Sequence, residues 1–174
     1  MNGEKKKLTV PVRKKITKIQ DIELCDWNIH RRKIIKTIEQ AYSKAPYYDE
    51  IADEIYNILN RDYKYLYELN TALIMFFKRR LHIDCEIVFE STLNLKMKNA
   101  SEDICDICKK LDSDKYYSGT GAKVYIEQDI FDKEGVEIIW SDYKPIEEGN
   151  LENMSVLDYV MKHKEGVPKE WMEN

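Results

Sequence analysis

Hydrophobic positions change their spacing along this chain, and each change marks a different kind of element. In "LTVPVRKKITKIQDI", apolar side chains alternate with polar ones at Leu8, Val10 and Val12, then recur at Ile16, Ile19 and Ile22. Alternation is strand spacing, because successive side chains leave opposite faces of the backbone. The stretch predicts two short strands joined by a basic turn, with Pro11 on an edge where its missing N–H breaks no ladder. From Trp27 the period lengthens to that of a helix. "WNIHRRKIIKTIEQAYSKA" predicts a first helix, with Asp26 as N-cap and Pro46 just past its end. "YDEIADEIYNIL" predicts a second, and "YKYLYELNTALIMFFKRRL" a third whose apolar face carries Leu66, Leu69, Leu73, Ile74, Phe77 and Leu81. Asn70 interrupts that stripe. A buried amide needs partners, so it would either tie the helix to backbone or face a site.

The rhythm changes again after residue 83. "DCEIVFES" is a compact β-rich run, and "SEDICDICKKL" a short helix whose first turn holds Ser101, Glu102 and Asp103, favourable at the positive end of the helix dipole. "KYYSG" reads as a brief strand, "AKVYIEQDIFDKE" as a helix stopped by Gly135, and "VEIIWSDY" as a strand. After the irregular "KPIEEGN", Ser155 caps a last helix, "VLDYVMKH". Strands and helices in alternation with short connections form parallel βαβ units. The fold class expected is therefore α/β: a parallel-sheet βαβ core over about residues 84–163, preceded by the strand pair and three helices. The pattern suggests one domain over residues 1–174, with 164–174 as a tail. Ligands of open parallel sheets sit outside the carboxyl ends of the strands. Those ends are "ESTL" (90–93), "SGTGAK" (118–123) and "SDY" (141–143), so three polar loops are expected on one rim.

Composition narrows the function classes. At 174 residues, with 43% hydrophobic and 34% charged, the chain has the balance of a globular domain. No apolar run approaches the roughly 20 residues needed to span a bilayer, so no membrane insertion is expected. "MNGEKKKLTVPV" lacks the apolar core of a signal peptide, which makes a cytoplasmic location the expectation and reduced thiols the reading of Cys25, Cys85, Cys105 and Cys108. A net charge of −4 argues against general nucleic-acid binding. Yet residues 1–18 hold seven basic side chains against one acidic, and "HRRK" follows at 30–33. A local basic face toward an anionic small molecule stands beside the plainer reading of a solvated charged surface.

The richest candidate chemistry lies in "KYYSGTGAKVYI". Ser118, Gly119, Thr120, Gly121 and Lys123 combine glycines that let backbone approach a ligand, hydroxyl donors, and a lysine able to neutralise phosphate or carboxylate. The run fits neither the Walker loop nor G-x-G-x-x-G, and a strand-to-helix turn using glycine at positive φ is the alternative. Cys105 and Cys108 form C-x-x-C inside an apolar helix face with Ile104, Ile107 and Leu111. With no second pair they read as small core residues, and no metal site is expected. His30, His82 and His163 have no metal spacing. Asp142, after the last strand, and Asp158, on the last helix, are candidate acid/base or hydroxyl-binding carboxylates, with surface or cap roles as the alternative.

Taken together, "LTVPV", "TIEQAYSKAPYY", the "LN" and "LI" of the third helix, "YYSGTGAKVYI" and "SVLDYV" resemble the WbqC-like proteins, in order, from about residue 2 to 163. These are bacterial proteins encoded among genes for surface polysaccharides such as O-antigen. The resemblance implies a part in making or decorating an amino sugar, with transfer of glycine or another acyl group as the suggested step. Ser118, Gly119, Gly121 and Lys123 match the family's signature loop. Ser91 matches a serine before the helix that precedes that loop. Trp27, Tyr42, Pro46 and Tyr47 match aromatic and proline positions, and Ser155 and Asp158 match "S-x-L-D". Family members usually begin with a further strand–helix unit bearing a "QPNYLPW"-like motif; that motif is absent here, and the chain is expected to be N-terminally shortened. Ile34 stands where a histidine is expected, with His30 one turn earlier, and the loop before "SVLDYV" is short.

Two readings of function follow. In the first, the glycine-rich loop with Ser91 and Ser155 holds a nucleotide or nucleotide sugar, and Asp158 or Asp142 accepts a proton as an acyl or aminoacyl group passes to the amino sugar. That transfer needs no cofactor and no covalent enzyme intermediate. In the second, the chain is a non-catalytic module that binds the nucleotide sugar or a partner protein.

Overall fold

The computed structural model describes residues 6–13, 18–96, 98–141, 154–164 and 166–167. The chain divides into two compact units, Met1–Asp84 with Ile146–Asn174, and Cys85–Pro145. The βαβ order expected between residues 115 and 141 is present, and with six helices among the described residues the fold is α/β.

The first unit is helical. α1 (Trp27–Tyr42), α2 (Tyr48–Leu59), α3 (Leu66–Arg80) and α6 (Val156–Lys162) gather round α2, which packs against the other three. α2 is central because Ile51, Ile55, Ile58 and Leu59 recur at helical spacing and are all buried. Each such side chain contributes about 1.5–3 kcal/mol by leaving water. Ile34 and Ile38 from α1, Leu69 and Phe76 from α3, and Val160 and Met161 from α6 complete the core. The α3 face differs from expectation. Ile74 is exposed and Phe76 buried, while Asn70 points to solvent. The stripe is centred on Leu69, Ala72 and Phe76; at 100° per residue, Ile74 lies about 140° round from Leu69 and Phe76 about 20°.

The expected strand pair is reduced to isolated antiparallel bridges, Val12 with Leu24 and Glu23 with Tyr65. Cys25 N–H donates to the Pro11 carbonyl at 3.0 Å, and Leu24 N–H to Lys64 at 2.9 Å, so residues 22–25 are stitched on two sides. Ile19–Asp21 forms a 3-10 turn where the second strand was expected, and the basic turn between falls partly outside the described residues. Asp26 does occupy the N-cap position of α1, but in the left-handed region (φ 46°) with no side-chain cap bond. Aspartate tolerates that conformation better than most residues.

The second unit holds α4 (Ala100–Lys110), β1 (Lys115–Gly119), α5 (Gln128–Glu134) and β2 (Glu137–Ser141). β1 and β2 pair in parallel, Lys115 with Glu137 through Gly119 with Ser141. Cys105 and Cys108 of α4 pack with Phe131 and Val136 in a small core, and Tyr116 stacks on Phe131 at 5.8 Å. Both cysteines therefore serve as small apolar residues, and burial raises both thiol pKa values. Asn99, rather than Ser101, caps α4, its side chain accepting the Glu102 N–H at 2.9 Å. Buried Ser101 accepts the N–H of Glu127, the residue before α5, at 2.9 Å. α5 ends where Gly135 turns left-handed (φ 70°).

Two expected elements change. "DCEIVFES" forms no strand: residues 83–89 are irregular and Ile87, Val88 and Phe89 are exposed, with a 3-10 turn at Glu90–Thr92. A β-prone sequence forms a strand only when a neighbour pairs with it. The helix expected from Ala122 begins instead at Gln128, after a 3-10 turn over Thr120–Val124. Among the described residues no helix is long and apolar enough to cross a membrane.

Candidate functional site

The carboxyl ends of β1 and β2 lie side by side, since Ser118 pairs with Trp140 and Gly119 with Ser141. The chain leaves β1 at Gly119 and turns at once through Thr120–Val124, so the glycine-rich run forms the rim over the strand ends. Gly119, Thr120, Gly121 and Lys123 are exposed, and Ala122 is the buried anchor of the turn. Ser118 is buried; its hydroxyl lies 3.4 Å from the Tyr116 hydroxyl and from the Gly119 carbonyl, directing it inward.

The two glycines are not explained by the backbone. Gly119 is extended (φ −69°, ψ 147°), and Gly121 has no positive φ. A methyl group built on either would meet nothing within 4 Å. Gly135, in contrast, carries φ +70°, which a side chain rarely tolerates. The turn reading predicted positive φ in the loop, and that reason for glycine is missing. What remains is a bare, open backbone at the end of a parallel strand.

Lys123 folds back over Trp140, its Nζ 5.1 Å from the ring centroid. This places a cation and an indole face beside the bare loop. Trp140 was not singled out in the sequence, although a tryptophan one residue before a strand's polar end is a recognisable signal. Val124 and Tyr125 next to it are exposed, Val124 by 89%, so the turn presents apolar surface as well as charge.

The remaining candidates fall elsewhere. Ser91 is exposed in the Glu90–Thr92 turn of the same unit. Asp142 lies outside the described residues. Ser155 and Asp158 belong to the helical unit. Ser155 holds the N-cap position of α6 through its carbonyl, which accepts the Asp158 N–H at 2.9 Å, and its side chain makes no cap bond. Asp158 is buried, accepting the Tyr42 hydroxyl at 3.0 Å on Oδ1 and pairing with Lys162 at 2.9 Å on Oδ2. Burial first, then the Asp158 charge, pushes the Tyr42 phenol pKa up. Asp158 thus ties α6 to the end of α1, across 116 residues of sequence. Tyr47 N–H adds a bond to the Met161 carbonyl at 3.3 Å. Trp27 is buried and donates its indole N–H to the Arg61 carbonyl at 3.0 Å, and Ile34 is a core residue.

The helical unit also has a shallow groove of about 430 Å3 between α2 and α3, lined by Ile58, Met75, Phe76, Glu54 and Arg79. Arg79 pairs with Glu54 there, and Arg61 adds a second cation to the lining. Among the described residues no group of three or more His, Cys, Asp or Glu could hold a metal ion.

Comparison with known proteins gives the chain its kinship. It is 28% identical over 147 residues to a protein of Mycobacterium tuberculosis strain H37Rv, "Uncharacterized protein Rv1507c". The alignment covers 78% of this chain and 60% of that protein, so the chain spans less than two thirds of that relative's length. No solved structure matches. The WbqC-like protein family matches residues 1–169, through both compact units, and the chain belongs to that family.

Proposed function

We propose that this protein acts in bacterial surface-polysaccharide biosynthesis by binding an anionic sugar precursor, a nucleotide or nucleotide sugar, on the Gly119–Lys123 rim. Membership of the WbqC-like family is consistent with a polysaccharide-biosynthesis role. The observation that carries the binding site is the pair of glycines without a backbone reason. Both residues are exposed, open space lies where a Cβ would stand on either, and Lys123 stands at the same turn to balance a phosphate's charge. Two or three charge-assisted bonds at about 1.5–3 kcal/mol each support dissociation constants in the range of roughly 1 mM to 1 μM.

The reaction we assign to such a complex is transfer of an acyl or glycyl group from an activated acyl donor to the amino group of the sugar: the amide C–N bond forms as the donor's acyl–carrier bond breaks, and the carrier leaves with that electron pair. Asp142, the residue after Ser141 at the end of β2, is the carboxylate that would accept the proton from the attacking amine. A binding-only module is the second reading. It is favoured by Asp158, the other candidate base, being committed to Tyr42 and Lys162.

Thermal melts against pyrophosphate, UDP and UDP-N-acetylglucosamine test the site. At about fifty times its dissociation constant a ligand stabilises by about 2.3 kcal/mol, or roughly 5–9 °C. Lys123→Gln should abolish most of that shift while lowering the unliganded melt by only about 1–4 °C, the loss of its contact with Trp140. Absence of any shift with every anion would sink the rim as a site. Turnover of an amino-sugar acceptor lost in Asp142→Asn would separate the enzyme from the module.

A further inference from the structure

The two described tryptophans are used in opposite ways. Trp27 has what a structural tryptophan has: it is buried, its N–H donates to the Arg61 carbonyl, and Tyr63 meets its ring edge-on at 6.4 Å. Trp140 has none of these. It is half-exposed, lies outside the small core of Cys105, Cys108, Phe131 and Val136, and has no ring partner and no acceptor for its N–H among the described residues. Its recorded partner is the Lys123 ammonium over its face. A large aromatic surface is costly to leave half in water, and a lysine stem covers it only loosely. Trp140 also pairs in register with Ser118, one residue before the strand end, and the Lys123 over its ring belongs to the same turn as Gly121.

We infer that Trp140 is the ring-recognition face of this site: it packs against the face of a ring carried next to the phosphate, and Lys123 leaves the indole to meet the anion. The inference rests on the anion-binding reading above and adds to it the residue that recognises the ring, nucleobase or pyranose, carried beside the phosphate. A cation over an indole contributes about 0.5–1 kcal/mol at an exposed site, so a phosphate displaces it readily. A stacked ring then takes the face the lysine leaves.

Calorimetric titration separates the two claims. Pyrophosphate has charge and no ring, UDP has a base, and glucosamine 1-phosphate has a pyranose without a base. At least one ring-bearing anion should bind about tenfold or more tighter than pyrophosphate, within the range a single base–aromatic stack supplies. Which of the two does so identifies the ring. Trp140→Leu should reduce that advantage to within about threefold while pyrophosphate binds about two- to fivefold tighter, no longer having to draw the lysine off the indole, and Trp140→Phe should retain most of the advantage. Trp140→Phe also guards against a variant that simply fails to fold. If pyrophosphate binds as tightly as both ring-bearing anions, or the advantage survives in Trp140→Leu, ring recognition by Trp140 is wrong and the anion site stands. If pyrophosphate itself does not bind, both claims fall.

Discussion

Replacing Asp158 asks whether a carboxylate that reads as catalytic in the sequence is in fact a tie between helices. Its two oxygens are both occupied, Oδ1 by the Tyr42 hydroxyl at 3.0 Å and Oδ2 by Lys162 at 2.9 Å. A hydrogen bond to a charged group contributes about 1.5–3 kcal/mol, and losing it strands a half-buried phenol. The Lys162 side chain is 36% exposed, so the second contact is screened and adds about 0.3–0.5 kcal/mol. Asp158→Ala should therefore cost about 2–3 kcal/mol. Tyr42→Phe should cost about 1–2, because Asp158 keeps Lys162. The double variant should be little worse than Asp158→Ala, giving a coupling of about 1–2 kcal/mol. Urea unfolding provides the measurement, with midpoints moving at constant slope. A loss below about 0.5 kcal/mol in Asp158→Ala, or additive single effects, would refute the tie.

Two further outcomes follow from the same coordinates. Tyr42 has its pKa raised by burial and by Asp158, so its contribution is complete below about pH 10 and is lost as pH rises toward the folded value, where the unfolded state has already released its proton. Urea midpoints should accordingly fall less steeply above about pH 10 in Tyr42→Phe than in the parent, and equal slopes would contradict this. Gly135→Ala, at φ +70°, should lose about 1–2 kcal/mol in a thermal melt, whereas Gly119→Ala and Gly121→Ala should lose none and should weaken anion binding.

How much of this was legible depended on the distance over which each feature is determined. α2 was read residue for residue because its own spacing, Ile51, Ile55, Ile58 and Leu59, decides which face is buried. The parallel pairing of "KYYSG" with "VEIIWS" followed from local alternation and the intervening helix. The strand expected at "DCEIVFES" failed for the opposite reason. Its β-branched and aromatic residues state a preference, but a ladder needs a second strand, which local composition cannot supply. Asp158 was visible as a residue and not as a tie, since its partner is 116 positions away. The loop does leave the end of β1, and of the two readings of its glycines the positive-φ turn is the one the backbone does not bear out.

The residues that carry the family resemblance consequently separate into two groups. Trp27, Tyr42, Tyr47 and Asp158 each have a bonded or packed partner inside the helical unit, and these contacts account for their chemistry without a ligand. Gly119, Gly121 and Lys123 do not: the glycines satisfy no torsional or steric need, and the lysine rests on a tryptophan that the core does not use. A folding requirement leaves its mark as burial and hydrogen bonds, whereas a binding requirement leaves exposed groups whose geometry has no internal cause. By that criterion the binding site we propose belongs at the ends of β1 and β2, and the carboxylate on α6, bonded to Tyr42 and Lys162, belongs to the framework.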